Sequence, residues 1–270
     1  MVHADQSRFP VLARVDTWPV HLPDLDTAVT TIADRAAQID DRGFTVFTLN
    51  LDHLVKLRRF PKFVTAYRHA DLVTADGAPI VWLARRTGDD QSRQITRTTG
   101  ADMFVPLACA AAERDLPVYL FGSTIEVLSR TVDSLWHTTA GRITIAGIAA
   151  PSPNFDPEGP EADAAIEDMI ASQARVAFIA LGAPKQEVFA ARAVAKGCRA
   201  AIVCVGAAVD FVAGTQIRAP KALQRTGLEW AWRLATNPRR LTTRYAACAR
   251  LLLEVAVLTP AMTPVVAREI

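Results

Sequence analysis

Only four cysteines occur in the 270 residues, at 109, 198, 204 and 248, and no C-x-x-C is present. Each lies in an apolar run such as 201–205, the pattern of buried reduced thiols in a cytosolic protein. The five histidines show no zincin spacing, so no metal site is expected. Charge of one sign is also lacking. Lys plus Arg number 30 and Asp plus Glu 28, a net charge of +2, which excludes a polybasic nucleic-acid binder as a whole-chain reading. No run of about 18 apolar residues exists to cross a bilayer. The nearest, 251–258, is short, holds Glu254 and is followed by Pro260 and Pro264. Residues 1–10 hold no apolar core of signal-peptide length, so no leader is expected. Neither G-x-G-x-x-G nor G-x-x-x-x-G-K-[ST] is found, which counts against a dinucleotide oxidoreductase and a P-loop NTPase. Internal repeats and low-complexity linkers are missing as well.

What is present is a globular composition, half apolar and about a fifth charged. The length fits one large α/β domain or two small ones. Apolar runs at 44–49, 72–74, 117–121, 143–146, 176–181 and 200–205 read as buried strands. Helix-length segments lie between them, at 52–69, 77–88, 101–115, 123–138, 160–174 and 184–196. Alternation of this kind predicts an α/β fold with a mostly parallel, Rossmann-like sheet and helices on both faces. Residues 1–216 are assigned to that core.

The remainder, 217–270, differs. Helices are expected over 222–235 and 239–258, with Pro238 in the first turn of the second. From 215 onward nine basic residues face three acidic ones, a net +6 that leaves −4 for the rest. Arginines such as Arg233, Arg239, Arg240 and Arg244 are interleaved with Trp230, Trp232 and Tyr245. This pattern fits an amphipathic element at a membrane surface, and equally a pair of packing helices with a solvated basic face.

Three predicted strands end alike. They run into Gly122-Ser123, Gly182-Ala183-Pro184 and Gly206-Ala207-Ala208. Ligands of open α/β sheets bind beyond the carboxyl ends of the strands. A glycine there admits close approach, and a following helix N-terminus favours an anion. Three such ends suit a nucleotide diphosphate. Nearby, Gln186 and Glu187 open a helix, and Asp210 follows the last strand, placed either to take ribose hydroxyls or to cap a helix. Thr48 and Asn50 end one strand and project to the same side. Asp76 follows another beside Gly77, where a carboxylate can act as a general base or cap the next helix. Arg97 lies in a polar loop and can pair with a phosphate.

Taken in order, these pieces carry a resemblance. They are Thr48-x-Asn50, the stretch 70–77 (ADLVTADG), Arg97-x-Thr99-Gly100-x-Asp102, 117–123 (PVYLFGS) and 181–187 (LGAPKQE). Then come 205–214 (VGAAVDFVAG), Arg218-Ala219-Pro220 and Gly227-Leu228-Glu229-Trp230. The chain resembles the WecG/TagA/CpsF glycosyltransferases over about residues 44–250. The resemblance implies an inverting transfer of a sugar from a nucleotide donor, commonly UDP-linked, to a polyprenyl-diphosphate-linked sugar. It implies no metal or other cofactor, Asp76 as base, and Thr48 and Asn50 lining the catalytic pocket. Gln186 and Asp210 would hold the nucleotide sugar, with Arg97, Gly122, Ser123, Gly182 and Gly206 around it. Arg233, Arg239, Arg240 and Arg244 would meet the acceptor and an anionic membrane. The protein is thus expected in the cytoplasm, peripheral on the inner face of the plasma membrane, in surface-polysaccharide synthesis. A homo-oligomer stays open. The basic segment with Lys56, Arg58, Arg59 and Lys62, and the last twenty residues, depart from the family pattern. An NAD-dependent epimerase would need a Gly-rich fingerprint and a Tyr-x-x-x-Lys pair, and neither occurs. A non-catalytic, membrane-associated nucleotide-sugar binder is the other reading.

Overall fold

Strands built from consecutive Val, Ile, Phe and Ala leave no face for water, so they pair in parallel and are covered on both sides. The computed structural model of the chain describes residues 9–38, 42–86, 89–227, 229–236 and 238–258. Its first element is a short antiparallel hairpin, Ala13–Val15 (β1) and Trp18–Val20 (β2). A helix, Leu25–Ala37 (α1), follows, capped by Asp24, whose side chain accepts from the Thr27 amide. The main sheet consists of Phe44–Leu49 (β3), Leu72–Ala75 (β4), Val118–Gly122 (β5), Ile145–Ala149 (β6), Val176–Ala180 (β7) and Ala201–Cys204 (β8). All pairings in it are parallel, in the order β4-β3-β8-β7-β5-β6. The expected α/β, Rossmann-like parallel sheet is therefore what the chain forms.

Between the strands lie Leu51–Leu57 (α2), Pro61–Arg68 (α3), Ala78–Arg85 (α4), Asp90–Arg93 (α5), Gly100–Glu113 (α6), Ile125–Thr138 (α7), Pro160–Ala171 (α8) and Lys185–Ala195 (α9), and Ala208–Val212 (α10) follows the last strand. Two apolar clusters fill the two faces. One gathers Phe47, Leu49, Tyr67, Phe121, Phe189 and Ile202; the other gathers Phe44, Val46, Phe104, Leu120, Phe178 and Val203. The strict alternation of β3 between the clusters fixes its register, because a slip of one residue would exchange them.

Some boundaries differ from expectation. The helix expected over 52–69 is two, α2 and α3, because Pro61 starts a new helix and cannot continue the old one. The strand expected at 143–146 sits at Ile145–Ala149. The exposed side of the β4 edge is closed locally by the segment after β2. The His21 amide donates to Val73 O (2.9 Å), and the Val73 amide donates to His21 Nδ1 (3.0 Å).

The tail forms Lys221–Arg225 (α11), Glu229–Thr236 (α12) and Pro238–Leu258 (α13). The helix expected over 222–235 is split near Gly227, which sits at φ +75°, a conformation that ends a helix. Pro238 opens α13 as expected. α13 lies along α2, and its Cys248, Leu251 and Val255 are buried. Among the described residues no helix is long and apolar enough to cross a membrane.

Candidate functional site

The site is built at the carboxyl rim of the sheet, where β3 and β4 deliver Asn50 and Asp76 side by side. Parallel pairing sets Leu49 opposite Ala75, so the residues that follow them are neighbours. The Asp76 amide donates to Leu49 O (2.8 Å). The Asn50 side chain serves two purposes. Its oxygen caps α2 by accepting from the His53 amide (2.9 Å), and its Nδ2 donates to Asp76 Oδ2 (3.2 Å). A carboxamide has separate donor and acceptor ends, so Asn50 makes both bonds at once. Asp76 is half-buried, within reach of a ligand in the rim. Thr48, buried and paired with Thr74, accepts through its carbonyl from Tyr67 Oη (2.9 Å).

On the other side of β3, the ends of β5, β7 and β8 come together. Gly122 sits at φ +128°, and a Cβ there would lie 2.3 Å from Ala180 O, so no other residue fits this approach of β5 to β7. Ser123, just beyond it, donates through Oγ to Asp210 Oδ1 (3.3 Å), joining the rims of β5 and β8. Thr215 Oγ1 also meets Asp210, at its carbonyl (3.2 Å). The space around the Cα of Gly182 and of Gly206 is open. Gln186, by contrast, is buried. Its Oε1 accepts from the Gly206 amide (3.1 Å), and its Nε2 donates to Glu187 Oε1 (2.8 Å). In this geometry Gln186 shapes the loop that presents Gly206.

Beneath the rim lies a polar cluster that sequence reasoning did not assemble. Tyr67 has one hydroxyl proton and gives it to Thr48 O, so the proton in its 2.8 Å contact with His53 belongs to Nδ1 of His53. That leaves His53 Nε2 facing Glu187 Oε1 at 3.9 Å. Burial pushes the Glu187 carboxyl up to about 7 and pulls His53 down to about 3. Between those values the pair is uncharged. Glu187 Oε2 has no hydrogen-bond partner among the described residues, and burial outweighs the Gln186 hydrogen bond on Oε1, which favours the charged form. Glu187 opens α9 beside Gln186 in sequence, but nothing in the sequence says that both are buried.

Arg97 is held in an ion cluster. Its Nη2 meets Asp102 Oδ2 (3.0 Å) and its Nη1 meets Glu229 Oε2 (3.6 Å). Arg218 Nη2 meets Asp102 Oδ1 (2.7 Å) and Glu229 Oε2 (3.6 Å). The cluster ties the start of α6 to the start of α12. Asp102 and Arg218 both stand inside motifs quoted above; their partnership across more than 100 residues was not readable. Three of the four basic residues in the segment after Asn50 are paired as well. Lys56 pairs with Asp52 (2.7 Å), Arg58 with Asp16 (3.0 Å) and Glu254 (2.7 Å), and Lys62 with Glu158. In the tail, Arg244 Nε meets Asp52 Oδ1 (2.8 Å) and Arg239 is exposed. The side chains of Arg233 and Arg240 lie outside the described residues. Trp230 is half-exposed, edge-on to Tyr245 with 6.0 Å between centroids. Cys198, Cys204 and Cys248 are buried and Cys109 is half-buried, all unpaired.

A doubly covered parallel sheet with a carboxylate–amide pair and glycine-lined strand ends at one rim is the architecture of α/β enzymes, in which ligands bind beyond the carboxyl ends of the strands. The chain belongs to the WecG/TagA/CpsF family of glycosyl transferases, whose family model matches residues 14–261.

Proposed function

We propose that the protein moves a sugar, with inversion, from a nucleotide donor, UDP-linked in the favoured case, to a sugar carried on a polyprenyl diphosphate. The observation that carries this reading is the Asn50–Asp76 pair at the rim, flanked by the open glycines of β7 and β8. Asp76 takes the proton from the acceptor hydroxyl as its oxygen bonds to the anomeric carbon. The bond from that carbon to the donor diphosphate breaks, and the nucleoside diphosphate leaves with the electron pair. Asn50 Nδ2, on one carboxylate oxygen, orients the base. General-base assistance contributes about 10²–10⁴ in rate. The N-termini of α7 and α9, beyond Gly122 and Gly182, favour the negative charge that develops on the leaving diphosphate. Asp210, fixed by Ser123 and Thr215, is the group for the ribose or sugar hydroxyls.

Residues 217–270 are read as an appendage to a 1–216 core that brings the enzyme to the cytoplasmic face of an anionic membrane, where a lipid-linked acceptor resides. Its net +6 supports that reading. The test is a donor panel: release of UDP or GDP from a set of nucleotide sugars in the presence of a polyprenyl-diphosphate-sugar acceptor. Turnover that depends on both substrates and survives a chelator is expected. Hydrolysis indifferent to the acceptor, or activity lost with the chelator and restored by a divalent ion, overturns it.

A further inference from the structure

A cleft of about 350 Å³ lies on the side of Asp76 away from the glycine-lined strand ends. β4 is the edge strand of the sheet, and β3 separates it from β8, β7 and β5. The cleft therefore falls beyond that edge, along α4. Four of its lining residues are Ala78, Val81, Trp82 and Arg85. Their spacing, i, i+3, i+4 and i+7, makes them one stripe of the helix. The stripe starts two residues after Asp76, runs along apolar side chains and ends on a guanidinium.

The opposite wall comes from the tail, through Gln224, Thr226 and Gly227. Gly227 approaches so closely that a Cβ there would sit 3.0 Å from the Ala78 Cβ. Core and tail thus make the cleft together. Trp82 is 49% exposed, much like Trp136 and Trp230, but unlike Trp136 and Trp230 it stands in a cleft beside Arg85 and Arg97. Arg86 stacks over its ring, with Cζ 4.8 Å from the centroid. Arg97 also lines the cleft, held by Asp102 and Glu229, and Arg85 is steadied by its Nε on Ile95 O (2.8 Å). Basic groups at fixed positions around an exposed indole suit an amphiphile that joins a multivalent anion to a hydrocarbon.

We propose that this cleft is the acceptor subsite, with Arg85 taking the diphosphate and Trp82 and Val81 taking the first prenyl units. The assignment rests on the glycosyl-transfer reading above and names the partner on the second side of Asp76. An inverting displacement needs the acceptor oxygen and the leaving diphosphate on opposite sides of the anomeric carbon, and sites on either side of β3 allow that arrangement, with Asp76 on the acceptor hydroxyl. Two diphosphates need separate cradles, and the structure offers one on each side of β3.

Calorimetry with farnesyl diphosphate, inorganic diphosphate and UDP on the full chain tests this, using Trp82→Ala and Arg85→Ala. Trp82 is half-exposed, so its variant should fold, and melting curves check both. Farnesyl diphosphate should bind at least fivefold more weakly to either variant, with UDP affinity unchanged within twofold. Inorganic diphosphate should weaken with Arg85→Ala and stay within twofold with Trp82→Ala. Farnesyl diphosphate binding that is undetectable in the parent protein, unaltered in both variants, or competitive with UDP overturns the subsite. A separate turnover assay with polyprenyl-diphosphate sugars keeps the two ideas apart. Absent transfer there sinks the glycosyl-transfer reading, and normal farnesyl diphosphate binding by the variants sinks the subsite alone.

Discussion

At the β3–β4 half of the rim, Asn50 turns its amide across the strand gap and meets Asp76 at 3.2 Å. At the β7–β8 half, Gln186 turns its amide inward and meets Gly206 and Glu187. Each half pairs a carboxamide with a carboxyl just beyond a buried strand. Burial separates their roles. Asn50 and Asp76 are half-buried, whereas Gln186 is 4% exposed and Glu187 is 0% exposed. A polar group that keeps contact with the rim can exchange its partners for those of a ligand. A buried one must keep its partners, because losing them costs about 1–3 kcal/mol. On the proposed reading the first half acts on the substrate, and the second holds the chain that presents Gly182 and Gly206.

The largest expected effect falls on the first half. Asp76→Asn should lower turnover by about 10²–10⁴ with UDP affinity and melting temperature near those of the parent. Retention of more than about a tenth of turnover, a barrier change of only ~1.4 kcal/mol, removes Asp76 from the role of base. The contrast sharpens with the second half. Glu187→Gln should change the pH dependence of stability and leave turnover within a few-fold at neutral pH. The folded Glu187 carboxyl stands at about 7 against 4.5 for the unperturbed group of the unfolded chain. The folded state therefore holds more protons between those values, and this stabilisation is complete below about pH 4.5 and lost as pH rises through 7. It amounts to about 3 kcal/mol. His53, lowered from 6.5 to about 3, acts oppositely: its contribution is complete above 6.5 and lost as pH falls towards 3. The two slopes oppose each other between pH 4.5 and 6.5. Urea unfolding should show that stability of the parent minus that of Glu187→Gln falls across pH 4.5–7. A difference that is flat or rising there shows that Glu187 is charged in the fold.

Gln186→Ala comes next. It strips the Gly206 amide and Glu187 Oε1 of their partner, a loss of about 1–3 kcal/mol, and lets the Gly206 loop move. Melting temperature and UDP affinity should fall together. Asn50→Ala removes the α2 cap, worth about 1 kcal/mol, and with it the amide on Asp76, so turnover should fall while UDP affinity holds. If Gln186→Ala weakened UDP binding with no thermal cost, the buried-brace account of the second half would be wrong.

The sheet was readable because its strands are buried on both faces. Runs 44–49, 176–181 and 200–205 fall within a residue or so of β3, β7 and β8. The hairpin of β1 and β2 was not, since strands of three residues carry no periodicity. Helix α1 also escaped notice, although Asp24 caps it and Ala28, Ile32 and Ala36 face the core at helical spacing. β6 is shifted because it is an edge strand, half-buried throughout, with Gly147 in its middle. The neighbourhood of Asn50 and Asp76 follows from strand ends alone, which is why a sequence can suggest it. The His53–Tyr67–Glu187 cluster depends on how α2, α3 and α9 stack on one another, and no spacing along the chain encodes that. The same holds for Arg97, whose partners Asp102 and Glu229 meet only once the tail has folded back.

The smallest expected effect concerns how the tail joins the first half. Arg239 and Arg244 both belong to the proposed membrane face, yet their surroundings differ. Arg239 is exposed, while Arg244 meets Asp52 at 2.8 Å, and Asp52 sits on α2, the helix that Asn50 caps. A basic residue near an anionic surface contributes about 1 kcal/mol, roughly fivefold in partition. Arg239→Ala should therefore weaken co-sedimentation with phosphatidylglycerol-containing vesicles about fivefold at low salt. Arg244→Ala should weaken it less than twofold, since its charge is already offset by a carboxylate on the core. High salt should release the parent and both variants, because the attraction is screened within a Debye length. Stability should move by under ~1 kcal/mol for exposed Arg239, and somewhat more for Arg244, whose partner Asp52 is buried, although Lys56 remains on that carboxylate. Equal losses of vesicle binding for the two variants would place Arg244 at the membrane and make the Asp52 pair incidental. Absence of vesicle binding by the parent at low salt removes the membrane role from the whole tail and leaves α13 as a packing helix over α2.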